Sequence, residues 1–137
     1  MSSSSADELA MAALEGLGWL YDWVIENVQP LGPNSSDREP LMTGIHGFAC
    51  QAVKPYLVYV APEITSSPDE LYSQSVYLHE VAHCFLGISA SMEHDEAEAE
   101  AWEQVGYWAE EAARPELVKM AADCADGYEP PVGYVVF

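Results

Sequence analysis

His79-Glu80-Val81-Ala82-His83 places two imidazoles and a carboxylate within five residues. On a helix advancing about 100° per residue, positions i and i+4 share one face, so both rings can reach a single ion. Zn²⁺ takes imidazole nitrogens at ~2.0–2.1 Å, and H-E-x-x-H on a helix is a zinc-site spacing in which the glutamate serves as general base. Glu80, roughly 100° around from His79, can reach a metal-bound water and pass its proton to a leaving amine. The pentapeptide therefore predicts His79 and His83 as metal ligands, Glu80 as the catalytic residue and one Zn²⁺ per chain. The competing reading is two partly exposed core histidines beside an ordinary helix-surface glutamate.

A catalytic zinc site uses three protein ligands and keeps a fourth position open, so one more His, Asp or Glu is required. The metzincin pattern demands Gly three and His six residues beyond the second histidine. Leu86 and Ser89 stand there instead, which leaves the gluzincin arrangement, with a glutamate from the following helix. Within "EHDEAEAEAW", Glu93 to Trp102, helical geometry separates the acids. At about 100° per residue, Ala101, Trp102, Val105, Ala109 and Ala112 fall within about 60° of Glu98. Glu93, Glu96, Glu100, Glu103, Glu110 and Glu111 lie between about 120° and 220° away, on a wet face. Glu98 sits on the apolar face, where a carboxylate is costly to bury unless protonated, paired or metal-bound, and is the expected third ligand. His94, one turn earlier, and Asp95, near the edge of that face, are its rivals.

These residues need two helices and a support to hold them. "TSSPDE" is a helix start, with Ser66 or Ser67 as cap, Pro68 in the first turn and Asp69 and Glu70 at the positive end of the dipole. It predicts an active-site helix over about 68–86 with Gly87 as its C-cap. The turn "ISASM" leads to a ligand helix over about 93–113, stopped by Pro115, and then to a short helix "PELVKMAADCA". A residue between about 95 and 100 then lies opposite His79 and His83. Upstream, Ser5 and Glu8 form a capping box, and Leu9, Ala13, Leu17, Leu20, Val24 and Val28 recur at helical spacing, predicting a first helix over about 6–27. Gly16 and Gly18 weaken its middle and permit close approach of another element. Residues 29–40 have loop composition. The apolar, β-branched runs "TGIHGFACQAV" and "PYLVYVAPEI" predict two paired strands within about 43–64, and "YEPPVGYVVF" an edge strand or packed tail.

The 137 residues amount to a single domain, with half of the chain apolar or aromatic. Four basic residues against 23 acidic ones give a formal charge of -19, which argues against nucleic acid and for cations or basic peptides as partners. A halophilic host or plain solubility are the simpler explanations of that charge, and DNA mimicry a third. No apolar run approaches the ~20 residues of a membrane span, and the N-terminus lacks the basic lead of a secretory signal, so a cytoplasmic location is expected. Cys50, Cys84 and Cys124 are too widely spaced for a thiolate site and are expected to be reduced core residues.

The stretch from about Pro55 to Ala109, with "YLVYVAP", "LHEVAHCFLG" and "EAEAW", resembles the ImmA/IrrE group of small gluzincin metallopeptidases. That group pairs H-E-x-x-H with a downstream E-x-E-A whose first Glu is the third zinc ligand, followed by Asn or Asp and an aromatic residue. Glu98-Ala99-Glu100-Ala101 fits with its first Glu inward. Glu96-Ala97-Glu98-Ala99 also fits and puts Trp102 at the aromatic position, with Glu100 where Asn or Asp is usual, but turns Glu96 to solvent. The resemblance implies a zinc-dependent endopeptidase, in relatives often directed at a particular regulatory protein, whose peptide substrate could add along the strand near His46 or "YLVYV". Tyr77, Tyr107, Tyr128 and Tyr134 are candidate oxyanion donors, with aromatic packing as the alternative role of each. The expected fold is α+β and minimal zincin-like: a small β-sheet packed on the active-site helix and the ligand helix, with flanking helices. The alternative function is a non-catalytic acidic zinc-binding protein that blocks a DNA-binding or basic partner.

Overall fold

The computed structural model describes residues 2–28, 45–50, 55–60, 69–87, 94–128 and 135–136. Its elements are α1 (Ser2–Ala13), α2 (Gly18–Asn27), β1 (Ile45–Cys50), β2 (Leu57–Val60), α3 (Glu70–Leu86), α4 (His94–Glu111), α5 (Pro115–Ala125) and β3 (Val135–Val136). The chain is thus α+β and mostly helical, with a short three-stranded sheet in the order β2-β1-β3. Strands β1 and β2 are antiparallel, pairing Gly47 with Val60 and Cys50 with Leu57, and β3 joins the other edge of β1 in parallel. Among the described residues, no helix is long and apolar enough to cross a membrane.

Helix α3 is the hub. It packs against α1, α4, α5 and both β1 and β2, so every residue from Tyr72 to Cys84 is buried. A helix covered on all sides has no wet face on which to put polar groups, yet Ser73, Gln74, Ser75, His79, Glu80 and His83 all lie within that buried stretch. The local start differs from the expected one: Asp69 is the N-cap, its carboxylate accepting from Tyr72 N at 3.2 Å, while Ser66, Ser67 and Pro68 lie outside the described residues. At the other end Gly87, at φ 66°, adopts the left-handed conformation that closes a helix, and its N–H donates to His83 O.

The expected continuous helix over 6–27 is two helices. Gly16 has φ 84°, and a Cβ placed on it would meet Ala112 Cβ at 3.0 Å. The chain therefore breaks where it runs against Ala112, just past the end of α4, and Leu17 restarts the helix as α2. Arg114 ties the same corner: its guanidinium donates to Ala12 O at 2.9 Å and to Gln74 Oε1 on α3. The described strands fall inside the expected 43–64 segment, and Val135–Val136 form the edge strand that the C-terminal sequence allowed. The 29–40 loop lies outside the described residues.

Candidate metal centre

Helix α3 holds His79 and His83 one turn apart on the face toward α4, and α4 brings Glu98 up from its second turn. His79 Nε2 stands 3.1 Å from Glu98 Oε1 and 3.1 Å from His83 Nε2, and His83 Nε2 stands 3.4 Å from Glu98 Oε1. Three potential ligand atoms on three residues therefore form one small triangle. Two imidazoles and a carboxylate at tetrahedral angles around Zn²⁺, with bonds of ~2.0–2.2 Å, have donor–donor separations of roughly 3.3–3.5 Å. The observed edges lie within a few tenths of an ångström of that, so the donor set and its spacing fit a metal ion.

The electrostatics of the triangle fit a cation too. Burial alone would raise the Glu98 carboxyl, but hydrogen bonds from His79 and His83 and their positive charge outweigh it and hold the group down at about 2. Glu80 goes the other way. It is fully buried, both its oxygens lack a hydrogen-bond partner among the described residues, and desolvation followed by repulsion from Glu98 raises its pKa well above the usual carboxylate value. A positive charge held by His79, His83 and Glu98 would pull Glu80 back toward ionisation. An orphaned buried carboxyl beside two histidines is costly in a protein without such a charge nearby.

No protein-family model, curated protein or solved structure matches the chain.

The wheel that set Glu98 apart from the other acids matches the packing of α4. Ala101, Trp102, Val105 and Ala109 are buried, and Glu96, Glu100, Glu103, Glu110 and Glu111 are exposed. Glu96 therefore stays off the triangle, while the side chains of His94 and Asp95, like those of Glu93 and His46, lie outside the described residues. The tyrosines divide similarly. Tyr77 is fully buried, Tyr107 is exposed on α4, Tyr134 is outside the described residues, and Tyr128 donates its hydroxyl to Asp69 Oδ2 at 2.8 Å. Neither Cys84 nor Cys124 is in a disulfide.

Trp102, which the sequence places only at the aromatic position of the Glu96-Ala97-Glu98-Ala99 register and on the inward face of α4, touches a candidate ligand directly. Its ring lies 4.1 Å from that of His79, centroid to centroid, tilted by 33°, and so packs against one face of the imidazole. The signal was present: Trp102 follows Glu98 by four residues and shares its face. What sequence spacing does not reveal is that α3 and α4 approach closely enough for the indole to reach across to a ligand of the other helix.

Proposed function

We propose that this chain is a zinc-dependent endopeptidase of the gluzincin type, built on a minimal zincin-like fold and acting on a peptide or protein substrate. The observation that carries the reading is the convergence of His79, His83 and Glu98 within 3.1–3.4 Å, with a fully buried Glu80 next in sequence to the first ligand. His79 Nε2, His83 Nε2 and Glu98 Oε1 would hold the ion. When bound, zinc supplies Lewis acidity, polarising a carbonyl and making a water acidic at neutral pH. Glu80 holds and moves the proton: its carboxylate accepts one from the attacking water and returns it to the leaving amine. A carboxyl raised by burial and lowered by a neighbouring cation sits between those extremes, as a group that must both take up and release a proton requires. Trp102 packs against the His79 ring, and the apolar packing of α3 excludes bulk water.

One observation favours the second reading, a zinc-stabilised acidic protein without catalysis. His79 and Glu80 are wholly buried and His83 is nearly so, as in structural sites that admit no substrate. A single pair of variants separates the two. Glu98→Ala should abolish stoichiometric zinc binding, measured by metal analysis after dialysis. Glu80→Gln should retain one zinc per chain and lower cleavage of a peptide library by about 10²-fold or more. A Glu80→Gln protein that cleaves as fast as the parent would remove the enzyme reading; zinc retention by Glu98→Ala would remove the ligand assignment.

A further inference from the structure

Helix α2 carries Trp19, Asp22, Trp23 and Glu26 at positions i, i+3, i+4 and i+7, so two indoles and two carboxylates share one face. Trp19 is 45% exposed, Asp22 and Glu26 are exposed, and Trp23 is half-buried. An exposed tryptophan standing alone would need no explanation. This one heads a cluster of four rings. Phe85, in the last turn of α3, stands edge-on to Trp19 at 5.8 Å, to Trp23 at 5.1 Å and to the buried Trp108 at 5.5 Å. The rings hold one another in place, so the outer faces of Trp19 and Trp23 form a fixed aromatic surface. The Trp19 indole N–H donates to the Glu111 carboxylate of α4, which sets a further acid at the edge of the ring. Trp108 lies ten residues beyond Glu98 on α4, roughly 15 Å of helix rise, so this surface is separate from the metal triangle.

Charge decides what covers it. Among the described residues the acids of this face have no basic partner: Arg114 donates to Ala12 O, Ala13 O and Gln74, and Lys119 pairs with Asp123 on α5. A second copy of the chain would bring another charge of -19 against them, and nucleic acid or an anionic membrane its own negative charge. A cation over an indole face gains from the ring quadrupole. Guanidinium suits this face best, because it is planar and weakly hydrated and stacks on the ring while its N–H groups still reach carboxylates at the ring edge. We infer that the Trp19–Trp23 face of α2 docks a basic segment of a partner protein, an arginine of that segment lying on the Trp19 ring within reach of Asp22 and Glu111. Glu26, one turn beyond Asp22, receives a second basic residue of the same segment. The inference is independent of the peptidase reading, since the face anchors a partner whether or not that partner is cut.

The test titrates the full chain with N-acetyl-Arg-Ala-Ala-Arg-Arg-Ala-Ala-Arg-amide and with its lysine and glutamate counterparts, following the tryptophan indole N–H resonances. Salt is held at about 0.1 M, where a screening length of ~10 Å quiets distant charges. The arginine peptide should move the Trp19 and Trp23 signals and leave that of Trp102 in place. The lysine peptide, of equal charge, should bind at least threefold more weakly, and the glutamate peptide should not bind. Trp19→Ala should weaken the arginine peptide at least tenfold. So should Asp22→Asn combined with Glu111→Gln, a pair that leaves the ring cluster intact. Glu70→Gln combined with Asp126→Asn removes the same charge from exposed positions in the first turn of α3 and at the end of α5, and should change affinity less than twofold. Equal losses in the two charge pairs, equal affinity for arginine and lysine, or shifts that bypass Trp19 would overturn the inference and leave only the diffuse field of the surface. Self-association of the chain in sedimentation, or binding to vesicles of phosphatidylcholine and phosphatidylglycerol, through the Trp19 face would overturn it equally.

Discussion

Glu80 costs the metal-free protein stability. A fully buried carboxyl with neither oxygen hydrogen-bonded among the described residues leaves a polar group desolvated without compensation. Glu80→Leu, of similar volume, should therefore raise the unfolding free energy of the chelator-treated chain by about 1–3 kcal/mol in urea titration, even as it abolishes activity. The pH dependence gives the sign a second check. A carboxyl whose folded pKa is raised keeps its proton longer in the folded state, so stability is full below the unfolded value and falls as pH climbs toward the folded value. Glu98, lowered to about 2, works in the opposite sense and has finished titrating once pH exceeds the ordinary carboxylate value. Between mild acid and neutrality the metal-free parent should therefore lose stability relative to Glu80→Leu as pH rises, and saturating zinc should shrink that difference. A constant difference across that range would mean that Glu80 titrates normally.

At the scale of elements, the corner where α1, α3 and α4 meet governs how His79, His83 and Glu98 are held in register. Arg114 donates to the last carbonyls of α1 and to Gln74 of α3; Arg114→Ala removes charged donors from partly buried acceptors and should cost about 2–4 kcal/mol by urea unfolding. Gly16→Ala should also destabilise, by about 1 kcal/mol or more, since its φ of 84° strains any side chain and the added methyl meets Ala112 Cβ at 3.0 Å. Gly106, inside α4 with open space around its Cβ position, predicts the reverse: Gly106→Ala should stabilise by about 0.5–1 kcal/mol. The same corner shows where sequence was readable. Periodicity alone separated Glu98 from the wet acids of α4, because a 100° step sorts residues on one helix without knowledge of its neighbours. It could not split the first helix at Gly16, because the break depends on Ala112, ninety-six positions away. Nor could it show that Trp102 touches His79, since that contact exists only once α3 and α4 are packed.

At the scale of the whole molecule, the charge of -19 makes one field with two opposite consequences. Basic partners do little to offset it: Lys119 pairs with Asp123 on the α5 surface at 2.9 Å, but the lysine is 77% exposed and such pairs contribute little. Self-repulsion among the acids opposes the compact state, and raising ionic strength from 0.01 M to 1 M shortens the screening length from about 30 Å to 3 Å. Thermal unfolding of the metal-free chain should therefore move up by several degrees across that range. The same potential draws divalent cations toward the exposed edge of Glu98, so the association rate of zinc, followed by stopped-flow emission of Trp102 in a background with Trp19, Trp23 and Trp108 replaced by Phe, should fall at least several-fold over the same salt range. Sodium perchlorate serves as the salt, to avoid chloride binding to zinc. If the acidity acted only through local contacts such as Lys119–Asp123, salt would weaken stability and leave zinc capture unchanged. Opposite movements of stability and capture rate are the signature of a field belonging to the whole surface.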